Sequence, residues 1–313
     1  MMNLDAPTID AAAQRIAPFV RETPLWRLPS GALGLAGPRY EVWLKLEHLQ
    51  VSGSFKARGM FNRMLSHAIP PAGVVIASGG NAGIATAEAA RALGVVAHVF
   101  VPATSAAAKR ERLGALGARV DASGANYAEA LALCEQRQHA SGALMMHAYD
   151  QPEVVAGAGT LAREIERQAG TPDSLLVSVG GGGLVAGLAV WFAGRCRVVG
   201  LEPELAPTLQ RARAAGRPVD VDVGGIAADA LGARRVGRIA WDLTQQHVAD
   251  ALLLDDAAIL SAQQFLWREF RLGVEPAAAL PLAALQSGRV QPRAEERVCL
   301  ILCGANVDPA SLG

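Results

Sequence analysis

SLLVSVGGGGLVAGLAVWFAG occupies residues 174–194 and is the stretch whose reading decides the fold. It carries no charge until Arg195 and is about long enough to span a bilayer. Four consecutive glycines interrupt it, and each glycine costs roughly 1 kcal/mol against alanine inside a helix. The better reading is a buried strand, a glycine turn and a buried helix, with no membrane as partner. Successive glycine N–H groups at a helix N-terminus form an anion site without competing side chains, and a phosphate is the natural occupant. A tight turn without a ligand is the plainer alternative.

Outward from this unit, short apolar runs alternate with Ala- and Leu-rich helical stretches. Strands are predicted at 41–46, 73–77, 95–101, 118–121, 143–146, 174–179, 197–201 and 298–302. Helices are predicted at 81–93, 106–116, 124–139, 151–169, 182–193 and 256–272, among others. The alternation predicts an α/β fold with mostly parallel sheets flanked by helices. Such folds bind ligands where the carboxyl ends of strands meet glycine turns, here 52–55, 78–83 and 180–183.

Composition narrows the function classes. The 313 residues are 51% hydrophobic, enough for a large core, which excludes disorder. Lys+Arg and Asp+Glu each number 29 and no long basic run appears, so nucleic acid is not the expected partner. The opening MMNLDAPTID has no basic or apolar segment of a secretory signal. Cys134, Cys196, Cys299 and Cys303 form no CxxC pair and read as reduced thiols, which points to the cytoplasm.

Only three lysines exist: Lys45, Lys56 and Lys109. Arginine cannot form an imine, so these are the candidates for carbonyl chemistry. Lys45 lies on a strand beside Glu47 and reads as a solvated or paired charge. Lys109 sits on a polar helix face. Lys56 alone follows a small-residue turn at a helix start, where the dipole favours its neutral amine. A competing motif is G-x-G-x-x-A at Gly181, Gly183 and Ala186, with Glu202 ending the next strand. That reading gives a nicotinamide-dependent dehydrogenase, but leaves the turns around Lys56 and Asn81 without a role.

KLEHLQVSGSFKARG (45–59), SGGNAG (78–83), GGGGL (180–184), LEP (201–203) and CGAN (303–306) occur in the order found in the serine/threonine dehydratases. The chain resembles these fold-type II pyridoxal 5′-phosphate (PLP) enzymes from about residue 22 to 308. The resemblance implies a small lobe at 51–150 inserted into a large lobe of 1–50 and 151–313. It implies that Lys56 carries PLP, that Phe55 packs against the ring and that Asn81 bonds the ring oxygen. Gly180, Gly181, Gly182, Gly183 and Leu184 would hold the phosphate, and Cys303 would face the pyridine nitrogen. Ser78, Gly79, Asn81 and Ala82 would bind the substrate carboxylate, with Ser78 counted beside Lys56 as catalytic.

The implied reaction is β-elimination from a 3-hydroxy amino acid such as L-serine or L-threonine. Lys56 acts as general base, and the β-hydroxyl leaves, protonated through the cofactor phosphate, giving a 2-oxo acid and ammonia. A thiol at the ring nitrogen makes a weaker electron sink than a protonated pyridine, which suits elimination over transamination. Glycine at position 79, where serine racemases have a basic serine, argues against racemisation. Gly79 is also expected to open room for a bulky β-substituent such as the phenyl of 3-phenylserine. β-Replacement is the other PLP alternative. The resemblance further implies a K+ site from the Glu202 carboxylate and the carbonyls of Gly180, Ala206, Leu231 and Ala233. Capping of the next helix is the alternative for Glu202. Relatives are commonly dimers, so a homodimer is expected. End-product control is not, because no regulatory domain follows residue 313.

Overall fold

The computed structural model describes residues 4–35 and 37–312. The start of the stretch read for a signal, residues 1–3, and Ala36 and Gly313 of the expected large lobe lie outside them. Among the described residues, ten strands form two sheets. The first five are β1 Leu25–Pro29, β2 Glu41–Lys45, β3 Val74–Ala77, β4 Ala97–Pro102 and β5 Arg119–Gly124. The others are β6 Leu144–Met145, β7 Ser174–Ser178, β8 Arg197–Pro203, β9 Asp250–Leu254 and β10 Arg297–Ile301. One sheet has the order β1-β2-β10-β7-β8-β9 and the other β5-β4-β3-β6. All pairings are parallel except β1 with β2.

Parallel strands need crossovers, and helices supply them. They are α1 Ala6–Ile16, α2 Lys56–Leu65, α3 Asn81–Ala92, α4 Ala107–Ala115, α5 Tyr127–Ser141 and α6 Pro152–Ala169. There follow α7 Gly183–Phe192, α8 Thr208–Ala215, α9 Ala228–Leu231, α10 Arg238–His247, α11 Asp256–Phe270 and α12 Pro276–Gln286. Local signals set their ends. Asn126 accepts from Glu129 N to start α5, which stops at the left-handed Gly142. Asp255 caps α11 through Ala258 N.

Residues 174–194 divide as the glycines require, into β7, a turn and α7. Every residue of β7 is buried, as are nine of the ten in α7, so this unit is the interior of the larger sheet's core. No helix among the described residues is long and apolar enough to cross a membrane.

Helix α6 is the strut that positions the functional elements. A Cβ on Gly157 would lie 2.5 Å from the Arg58 carbonyl, and one on Gly187 would lie 2.5 Å from that of Val155. Missing side chains thus let α6 lie directly against both α2 and α7. A buried charge network pins the same joint. Arg58 donates from Nε and Nη2 to Glu47 at 2.6 and 2.9 Å, and from Nη2 to Glu164 at 2.9 Å. Lys45 donates to Glu164 at 2.6 Å, to the Thr23 carbonyl and to Gln168. Two cations offset two carboxylates, so burial does not strand a charge. Of the two expectations for Lys45, pairing holds and solvation does not: its side chain is fully buried.

Candidate active site

The three glycine turns all lie at the carboxyl ends of strands, and helix N-termini converge there. Lys56 is the first residue of α2. Its Nζ donates to the Ala148 carbonyl at 2.6 Å and lies 4.9 Å from the centre of the Phe55 ring. Burial pulls the amine's pKa down to about 8, against smaller opposing effects of Cys303 and Glu275. Desolvation, rather than a neighbouring charge, lowers it.

The chain before Lys56 is tied to the end of β10. Phe55 N donates to the Cys303 carbonyl at 3.0 Å, and Ser54 bridges Gly304. Cys303 is buried, and burial pushes its thiol well above the ordinary range, with Glu275 adding to the effect. The thiol is therefore neutral near pH 7.

Ser78 follows β3, and Asn81 opens α3 with Ala82 buried behind it. A Cβ at Gly79 would lie 3.0 Å from Val101 Cγ1 and 3.3 Å from Ser105 Oγ. A side chain at position 79 would therefore crowd β4 and the turn after it.

Gly180, Gly181 and Gly182 join β7 to α7, and Gly183 and Leu184 begin that helix. Ala186 N is bonded to the Gly182 carbonyl. The first-turn N–H groups before it have no intrahelical carbonyl to reach, as at any helix start. A Cβ on Gly181 would fall 2.3 Å from the Tyr149 ring, and one on Gly183 2.8 Å from the Tyr149 carbonyl. The turn is thus pressed against the segment that also receives Lys56.

Glu202 is fully buried, and its carboxylate accepts from Thr208 Oγ1 at 2.9 Å, Leu209 N at 2.7 Å and Gln210 N at 2.8 Å. Capping of α8 is therefore present. Burial, opposed by these bonds, raises its pKa to about 7. Thr208 Oγ1 also donates to the Gly180 carbonyl, and Leu231 abuts Gly180. The Ala206 carbonyl accepts from Thr208 N at 3.2 Å, whereas Ala233 lies two residues beyond Leu231, after α9. The dinucleotide reading needs a carboxylate free for a ribose; Glu202 is committed to α8.

Glu275 and Asn306 were missed from the sequence. The Asn81 amide nitrogen donates to both oxygens of Glu275, at 3.0 and 2.8 Å. A single acidic residue heading an otherwise uncharged helix, α12, was the available signal.

Residues 16–304 match the family described as pyridoxal-phosphate dependent enzyme. This chain belongs to the pyridoxal-phosphate dependent enzymes. It is 32% identical to phenylserine dehydratase of Ralstonia pickettii, over 98% of this chain and 94% of that protein. It is 34% identical to L-threo-3-hydroxyaspartate ammonia-lyase of a Pseudomonas species, covering 95% and 93% of the two chains. The crystal structure of a threonine deaminase from T.th. superposes with a TM-score of 0.88 at 34% identity, covering 97% and 99%.

A pyridoxal-phosphate dependent enzyme needs an amine that deprotonates near neutral pH, an anion cradle and a shaped apolar wall. Lys56, the Gly180–Leu184 turn and Phe55 meet those needs. Ser52 Oγ and Ser54 Oγ, buried in the turn before Lys56, have no partner among the described residues. The donor set fits the cofactor.

Proposed function

We propose that this pyridoxal-phosphate enzyme removes water from a 3-hydroxy amino acid and releases a 2-oxo acid and ammonia. The carrying observation is the Lys56 amine, its pKa lowered to about 8, bonded to the Ala148 carbonyl next to Tyr149, the residue that packs on the glycine turn. The three relatives above are named for substrates or reactions of this class. Their named substrates share the 3-hydroxy-2-amino acid unit and differ in the β-substituent.

The residues divide the work in this reading. Lys56 is the attachment point, and its free amine takes the Cα proton as general base. Bound cofactor supplies the electron sink that acidifies that proton. The N–H groups of Gly180 to Gly183 and Leu184 hold the phosphate, and Phe55 packs on the ring. Asn81 donates its amide to the ring oxygen. Cys303, a neutral thiol, faces the ring nitrogen without protonating it. Ser78, Gly79, Asn81 and Ala82 hold the substrate carboxylate, with the Ser78 hydroxyl beside it. The released enamine then adds water and loses ammonia outside the site.

Residues 51–150 act as a smaller lobe against 1–50 and 151–313. The four-stranded sheet, built from residues 74 to 145, supports that division. Glu202 with the carbonyls of Gly180, Ala206, Leu231 and Ala233 is a K+ site that braces the glycine turn. A homodimer in the cytoplasm fits the free cysteines and the exposed apolar side chains, Trp26 and Leu49 among them.

The test is spectroscopic and chemical. Purified protein reconstituted with pyridoxal phosphate should show a visible band that borohydride abolishes and that Lys56→Ala lacks. L-threonine, L-serine, phenylserine and threo-3-hydroxyaspartate should then be assayed for 2-oxo acid and ammonia in equal amounts. A bound cofactor with no ammonia from any of the four rejects the elimination.

A further inference from the structure

Glu275 stands at the N-cap of α12, where a carboxylate would ordinarily accept the helix's own N–H groups. It makes no such bond. It is 5% exposed, and turns instead toward the loop that begins α3. Its Oε1 and Oε2 receive the Asn81 amide nitrogen at 3.0 and 2.8 Å, and Oε1 also receives Asn306 N at 2.8 Å. Asn306 completes the clamp: its amide nitrogen donates to Asn81 Oδ1 and to the Ser52 carbonyl, the latter at 3.0 Å.

The direction of these bonds matters. A carboxylate only accepts, so the Asn81 nitrogen must face Glu275. Asn306 presents N–H, so the Asn81 oxygen must face Asn306. The amide of Asn81 is thereby fixed in one of its two flipped orientations. Room for the carboxylate comes from Gly304, where a Cβ would fall 2.8 Å from Oε2. The clamp gathers the turn before Lys56, the start of α3, the start of α12 and the residues after Cys303. None of these segments is adjacent in sequence to all the others.

We propose that Glu275, with Asn306, is a positioning residue that holds the Asn81 amide nitrogen in register with the cofactor ring. This rests on the reading that Asn81 contacts the ring of a cofactor on Lys56. Glu275 acts through Asn81 and touches neither ring nor substrate.

The test compares holoenzyme with Glu275→Gln, Glu275→Asp, Asn81→Ala and the Glu275→Gln/Asn81→Ala pair. Glutamine keeps the shape and, with its oxygen in the Oε1 place, sets its NH2 against the Asn81 nitrogen in the Oε2 place. E275Q should retain one cofactor per chain, shift the visible absorption maximum, and lower kcat by about tenfold to a hundredfold with KM little changed. E275D, which keeps the charge, should return part of the shift. The double variant should be no worse than N81A alone, because one pathway has already been cut. An unshifted band with unchanged kcat, or additive losses in the double variant, overturns the proposal. Should E275Q fail to fold, Asn306→Ala carries the test, and an unshifted band there overturns it equally. Wild-type protein without a borohydride-sensitive band refutes the cofactor reading itself.

Discussion

The Nζ of Lys56 donates to the carbonyl oxygen of Ala148 at 2.6 Å, and burial holds the amine's pKa at about 8. Imine formation needs the neutral amine. The rate of cofactor incorporation into apoenzyme should therefore rise about tenfold per pH unit below 8 and level off above it. Stability follows the same linkage. Between about 8 and the ordinary 10.5 the unfolded chain binds the proton that the folded apoenzyme does not. Apoenzyme stability should climb with pH across that window relative to Lys56→Met. Denaturant titrations at several pH values measure this, and parallel curves for the two proteins would reject it.

Arg58, two residues on, faces Glu47 and Glu164 in the interior. Arg58→Met should leave those carboxylates under-compensated and cost about 3–5 kcal/mol. Replacing Glu47 by glutamine in the same chain should recover part of the loss, since the stranded charge goes with it. Urea midpoints decide the matter; an R58M midpoint equal to wild type would contradict the network's role.

Gly181→Ala introduces a methyl 2.3 Å from the Tyr149 ring. Something must move, and the contact lies on the turn whose N–H groups are proposed to hold the phosphate. Cofactor affinity should fall by about tenfold or more, equivalent to about 1.4 kcal/mol. Adding Tyr149→Ala should restore affinity toward that of Tyr149→Ala alone. Equilibrium dialysis with pyridoxal phosphate reads both, and an unaffected Gly181→Ala affinity would show that the contact relaxes elsewhere.

The Glu202 carboxyl, raised to about 7 by burial, ties pH to the proposed K+ site. Below its ordinary 4.5 the group is protonated in both states; from there through 7 the folded protein keeps the proton longer. Its contribution to stability is accordingly lost as pH rises through 7. A bound K+ favours the carboxylate and should offset that loss. The thermal midpoint in KCl minus that in tetramethylammonium chloride should grow from pH 6 to pH 8. A constant difference, or the same growth in Glu202→Gln, would dismiss the cation.

Legibility from the sequence followed locality. The strand, turn and helix of 174–194 were readable because every constraint lies within twenty-one neighbouring residues. Lys56 stood out because only three lysines exist. Strands β1 and β9 went unread: both are sheet edges of five mostly half-buried or exposed residues, and burial on one side only leaves little to mark them as strands, even where β9 runs Ala251–Leu254. The partner of Glu275 has no local signal, because it meets Asn81 across a separation of 194 residues. The burial of Lys45 likewise depends on Glu164, 119 positions away. Local pattern identifies which groups are available, and long-range packing decides what each one faces.

Strand β10 lies between β2 and β7 in the larger sheet. On the ribosome, then, the hairpin of β1 and β2 must wait while more than two hundred residues are synthesised before its neighbour appears. During that interval β2 and β7 expose apolar edges with nothing to pair. Such nascent intermediates are natural clients for a chaperone, and a premature stop before residue 297 would release an aggregation-prone fragment rather than a weakened enzyme.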